Sequence, residues 1–221
     1  KLRAELASST PAELDHFVSP KVAVTLYTSI RPDAAHRPET RPLPPAQAEK
    51  IDAALTHVLS VKPEWEPLLA IPVEFCLLLD EQVSSTNPLL PQVIYVGERA
   101  FASPVVLHEV LVHELSHVWC GLLCEITDFQ RGGGPVDLVL PSGTRGKNTR
   151  QVVFAATFAA AAVSYYAACG GGARTSPHAA RMAYCLSYLR KTLLTLEEEG
   201  TPNAMGRLIG RALREYARRF P

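Results

Sequence analysis

The stretch Leu111-Val112-His113-Glu114-Leu115-Ser116-His117-Val118-Trp119-Cys120 sets two histidines and a glutamate in otherwise uncharged surroundings. On a helix, residues at i and i+4 share a face. Two imidazoles placed that way lie about 6 Å apart at their Cβ atoms, close enough to bind one first-row metal ion. Glu114 follows the first histidine directly, so it projects beside such an ion and can orient or deprotonate a water there. Burying all three side chains is costly unless a metal or hydrogen bonds satisfy them. The stretch therefore predicts a metal site with His113 and His117 as ligands and Glu114 as its catalytic neighbour.

Working outward, Ser103-Pro104 is a helix start, a capping hydroxyl followed by proline at the first helical position, and the helix should run to about Cys124. Before it, Ile71 to Asp80 and Gln92 to Gly97 read as strands by their apolar runs, with Ser84 to Pro91 as a loop between them. A helix near Ala46 to Leu59 precedes these strands. The proline-dense segment Arg31 to Pro45 cannot hold regular structure and reads as an exposed connector. After the motif, Arg131 to Pro135 and Pro141 to Asn148 are loops. Helices are then expected over Thr149 to Ala168, from Ser176-Pro177 to Glu199, and over Asn203 to Arg219. These elements predict an α+β chain, mostly helical, with a zincin-like active-site helix packed on a small sheet and further C-terminal helices. Residues 1–45 are expected to form an N-terminal helical segment with its connector, and residues 46–221 a metal-dependent catalytic domain.

Composition limits the partners. The 221 residues, 47% hydrophobic, can build a sizeable core, and 22 basic residues balance 22 acidic ones. No overall charge points to nucleic acid or an anionic membrane. Val152 to Ala168 is apolar but short of the roughly 20 residues a bilayer requires, and reads as a buried central helix. The five scattered cysteines suggest reduced, packed thiols rather than a disulfide framework. No secretory signal opens the chain, so a cytoplasmic location is expected.

The third metal ligand is not announced. The metzincin extension fails, because Cys120 and Leu123 occupy positions where that pattern has Gly and His or Asp. Glu125 and Asp128 lie roughly 12 to 16 Å farther along the helix axis. His178, just after Pro177, is the candidate third ligand, with Asp128, Asp137 and Glu125 as carboxylate competitors. His108 and Glu109, one turn before the motif, read as structural or exposed.

Ser84 to Gly97, Val110 to Trp119, Leu123 to Phe129, a Gly/Pro loop and Thr149 to Tyr166 together resemble the HExxH-type proteins encoded with ribosomally made, post-translationally modified peptides. The resemblance covers roughly Val83 to Arg190. Those proteins are described as α-ketoglutarate-dependent peptide β-hydroxylases. The resemblance implies Fe(II) on His113 and His117, with α-ketoglutarate and O2 as co-substrates and a precursor peptide as substrate. It also implies a cationic anchor for the far carboxylate of α-ketoglutarate, a task suited to a guanidinium. Arg150 is the first candidate, standing where the family has Arg-Pro, although Gln151 replaces the proline here. Arg145 and Lys147 follow. Ser84, Ser85 and Thr86 either contact the site or cap a loop. The strand Gln92 to Gly97 is expected to receive the peptide by edge pairing.

Two other readings stand beside the hydroxylase. In a zinc metallopeptidase of the zincin type, Glu114 serves as general base, and Tyr165, Tyr166 or His178 is available as an oxyanion partner. The third is a catalytically silent binding module that keeps the helix.

Overall fold

The computed structural model describes residues 39–79, 81–87, 90–132, 137–172 and 176–220. The expected N-terminal helical piece and the connector up to Pro38 lie outside the described residues. The chain divides into two compact units, Lys1–Glu125 and Ile126–Pro221, and each is described by itself.

Among the described residues, the first unit holds a four-stranded sheet of β1 (Thr40–Pro42), β2 (Glu74–Leu78), β3 (Ser84–Asn87) and β4 (Leu90–Gly97), in the spatial order β1-β2-β4-β3. β2 and β4 run parallel, while β1 and β3 pair antiparallel on the outside. β4 is hydrogen-bonded on both edges, and every residue from Pro91 to Gly97 is buried. That is why Q-V-I-Y-V-G is a continuous apolar run instead of an alternating one.

Three expectations are corrected by this sheet. The proline-rich connector contains β1, whose Thr40 lies opposite Leu78 and Pro42 opposite Cys76. Proline is tolerated there because an edge strand has one side with no ladder partner to lose. Ser84 to Asn87, expected as part of a loop, is strand β3, with Ser84 opposite Val96 and Thr86 opposite Ile94. Its polar residues conceal it from a reading based on apolar content, but β4 supplies the partner. Finally, β4 has no free edge for a peptide, because β2 and β3 occupy both sides; the edge on that side belongs to β3.

Side chains alternate across a strand, and residues opposite one another share a face. One face of the sheet carries Phe75, Leu77, Ile94 and Val96, continued onto β3 by Ser84 and Thr86. The other carries a cluster of Leu78, Val93 and Tyr95, with Cys76 and Leu90 packed against it.

Helix α1 (Pro45–Val61) buries Ile51, Ala54, Leu55 and Val58, the stripe expected of an amphipathic helix. A short helix, α2 (Glu66–Leu69), follows. Helix α3 (Pro104–Ile126) bears the histidine motif. It begins where expected, with the Ser103 hydroxyl accepting from the Val106 backbone N–H at 3.3 Å. Trp119 fixes its other half by donating from Nε1 to the Leu68 carbonyl of α2 at 3.1 Å.

The second unit is helical, built from α4 (Thr149–Ala168), α5 (Ala179–Glu198) and α6 (Ala204–Ala217). Asn148 and Gln151 form a reciprocal capping box at the start of α4. Gln151, standing at the family's proline position, thus has a local task of its own. By length and composition α4 is apolar enough to cross a membrane. Twelve of its residues are buried, as expected of a central helix. None of the five cysteines forms a disulfide, and three of them are buried.

Gly97 closes β4 where the backbone of Gln82 and Val83 crosses it. Its N–H donates to the Val83 carbonyl at 2.8 Å, and a Cβ at this position would run into the Gln82 carbonyl oxygen. Gly97→Ala should therefore lose about 1–3 kcal/mol of stability, the usual penalty for overpacking. In urea unfolding this appears as a lower midpoint at unchanged slope. An unchanged midpoint would show that the crossing has room to relax.

Candidate metal centre

The site is assembled from α3 and β3. Helical spacing brings His113 and His117 onto one face, with their Nε2 atoms 2.9 Å apart and their ring planes nearly perpendicular at 85°. Nitrogens this close can share a single first-row metal at bonds of about 2.0–2.1 Å. The Ser116 hydroxyl donates to the His113 carbonyl at 2.6 Å, tying the intervening turn together.

Glu114 is only 3% exposed. Its carboxylate Oε1 accepts from the Ser84 hydroxyl at 2.7 Å, and the Thr86 hydroxyl also hydrogen-bonds to the group. Ser84 and Thr86 reach it together because they are two residues apart on β3 and share a face. Oε2 is buried and has no hydrogen-bond partner among the described residues. Burial pushes the carboxyl up to about 7, against the two hydroxyls, which favour its charged form. A dication on the neighbouring histidines would pull it back down.

The two imidazoles fit as two ligands of one first-row metal, with the Glu114 carboxylate beside them rather than among the ligands. Among the described residues, no group of three or more His, Cys, Asp or Glu is gathered in metal-holding geometry.

A cavity of about 390 Å³ opens beside the pair, lined by Val83, Ser84, Glu109, Val110, His113 and Glu114 among others. Glu109, expected to be structural or exposed, borders this cavity. His108, its neighbour, instead stacks on His57 of α1 with ring centroids 4.3 Å apart.

The remaining candidates lie in the second unit, apart from Glu125, in the last turn of α3. Arg150 is 8% exposed. Its Nε and Nη2 both donate to Asp128 Oδ1, at 3.1 and 3.0 Å. The same oxygen accepts from the Phe129 N–H at 2.7 Å, so the first-choice cationic anchor and one carboxylate competitor are bound to each other. Arg145 is exposed in the loop before α4, while Lys147 pairs through its backbone with Leu138. His178 occupies the N-cap position of α5 without a side-chain cap hydrogen bond and is half-buried. Its ring lies against Tyr166, with centroids 5.5 Å apart. Asp137 is exposed.

Sequence reading passed over the direct support that Ser84 and Thr86 give Glu114. The available signal was the S-x-T alternation just before a strongly β-forming run. No protein-family model matches the chain, and no curated protein matches it.

The Arg150–Asp128 pair makes a checkable claim about stability. Asp128→Ala strands a buried guanidinium and should lower stability by about 1–3 kcal/mol, allowing for the partial exposure of the carboxylate. Adding Arg150→Met should recover part of that loss. A double-mutant cycle in urea measures the coupling, and additive losses would mean that the pair contributes nothing.

Proposed function

We propose that the chain is a non-haem iron(II)/α-ketoglutarate-dependent hydroxylase acting on the β-carbon of residues in a ribosomal precursor peptide. One observation carries the metal part of this reading: the 2.9 Å approach of the His113 and His117 nitrogens beside a buried carboxylate. The oxidative chemistry rests on the sequence resemblance described above.

In this reading His113 and His117 hold the iron. When bound, iron(II) with α-ketoglutarate and O2 supplies the oxidising power for hydroxylation, with succinate and CO2 as co-products. Glu114 stays at the rim of the site, its Oε1 tethered by Ser84 and its Oε2 turned away from that bond. Among the described residues β3 is an edge strand, and an extended substrate peptide would gain backbone hydrogen bonds there. Arg150 already bonds Asp128, and Arg145 and Lys147 stand beside it as the other candidates for the α-ketoglutarate anchor.

A second reading, a zinc metallopeptidase, is favoured by one feature. Glu114 combines an unpartnered Oε2 with a place directly beside the histidine pair, where a carboxylate can act as general base toward a metal-bound water.

The two readings separate on purification without oxygen, identification of the retained metal, and assay of succinate formation from α-ketoglutarate with O2. Iron(II) and succinate are expected; zinc together with peptide cleavage would overturn the hydroxylase. His113→Ala and His117→Ala should each abolish metal retention. Glu114→Gln should eliminate a peptidase but leave metal loading and succinate formation largely intact in a hydroxylase.

A further inference from the structure

We infer that the groove between α5 and α6 docks an acidic, amphipathic helix of a partner polypeptide, whose carboxylates meet a row of arginines and whose apolar side chain fills a notch among them. The inference is independent of the metal chemistry proposed above.

Helical spacing sets the row. Arg207, Arg211, Arg214 and Arg218 follow at intervals of four, three and four residues along α6 and its C-cap, so they form one stripe about 16 Å long. Like charges one turn apart work against a helix, and the helix dipole favours only the two nearest the C-terminus. Arg190 of α5 adds to the row across the groove. Its Nη2 donates to the Ala217 and Phe220 carbonyls, at 3.4 and 2.6 Å. Arg207 donates to the Pro202 carbonyl at 2.8 Å. Both guanidiniums are thus held by neutral acceptors, which orient a cation without cancelling its charge. Arg214 shows what the groove takes: its Nη1 and Nη2 reach the two carboxylate oxygens of Glu197 on α5, at 3.1 and 2.6 Å.

Between the arginines lies a cavity of about 240 Å³, lined among the described residues by Arg190, Leu193, Leu194, Arg214, Ala217 and Arg218. Leu193 is buried, while Leu194 is 52% exposed. The volume falls below the roughly 300–1,000 Å³ of small-molecule sites and suits one apolar side chain instead. Arginine takes a carboxylate bidentately, and a helix lying in a groove is read through anchors one turn apart. A helix with glutamates at that interval and a leucine among them complements both the row and the notch. A nucleic-acid strand would offer phosphates to the arginines, but its bases stack on aromatic rings, and this notch is walled by leucine and alanine.

The test uses a fluorescein-labelled helical peptide about four turns long, with glutamates one turn apart along one side and a leucine between them. Companion peptides carry Gln for every Glu, Lys for every Glu, or Ala for the Leu, and a single-stranded oligothymidylate of equal charge serves as competitor. Binding to the full chain is followed by anisotropy. The wild type should hold the Glu peptide at least about tenfold more tightly than the Gln and Lys peptides, and about tenfold more tightly than the Ala peptide. Arg211→Gln combined with Arg218→Gln should weaken the Glu peptide at least about tenfold, and Leu194→Gln should remove the advantage of leucine over alanine. Circular dichroism verifies that the variants are folded. Equal binding of the Glu and Gln peptides by the wild type, or unchanged binding by the double arginine variant, would overturn the inference. So would displacement by oligothymidylate with the leucine immaterial, which marks a polyanion surface. A dimer in sedimentation velocity that the double arginine variant dissolves overturns it as well, because the occupant is then a second copy of the chain.

Discussion

A carboxylate buried in the middle of an apolar helix organises the first unit. Glu114 cannot be left to itself at 3% exposure, since an unpaired charge in such surroundings costs several kcal/mol. Two things answer that cost. Burial raises the carboxyl's affinity for a proton, and β3 brings the Ser84 and Thr86 hydroxyls to it. That support requires β3 to be a strand, because only a period of two puts both hydroxyls on one face. The strand in turn requires the register with β4 that sets Ser84 opposite Val96 and Thr86 opposite Ile94. The close crossing at Gly97, where no side chain fits, holds the start of that register in place.

The second unit meets the same problem differently. Arg150 is buried near the start of α4, and Asp128 answers it with one oxygen that takes two guanidinium N–H groups and a backbone N–H. The pairing fixes the start of α4 to the segment around Asp128, with Asn203 adding a side-chain bond to the Asp128 carbonyl. The residue that the family resemblance puts first as a cosubstrate anchor thus has a structural partner of its own.

Much of the architecture was legible in advance where a signal is local. Ser103-Pro104 marked the start of α3, because a capping side chain and the absence of a proline N–H act within one turn. The apolar run of β4 announced a strand, but not that both of its edges are taken. The edge strands were not legible. β3 is polar, and β1 sits among prolines, so neither has a pattern of its own; each exists because a neighbouring strand offers hydrogen bonds. The placement of Glu109 was missed for a related reason. Its neighbour His108 stacks on α1 while Glu109 turns to the cavity, and a sequence does not say which flank of a helix remains open.

By itself, the sequence determined the chemistry available: two imidazoles one turn apart and a glutamate between them, a consequence of helical periodicity alone. Tertiary structure decided what surrounds them. The hydroxyls on Glu114, the partner of Arg150 and the carboxylate beside the cavity all depend on contacts between residues about 20 to 30 positions apart, or on which surface packing leaves uncovered. Such contacts form only when strands and helices settle against one another, and no local pattern encodes them.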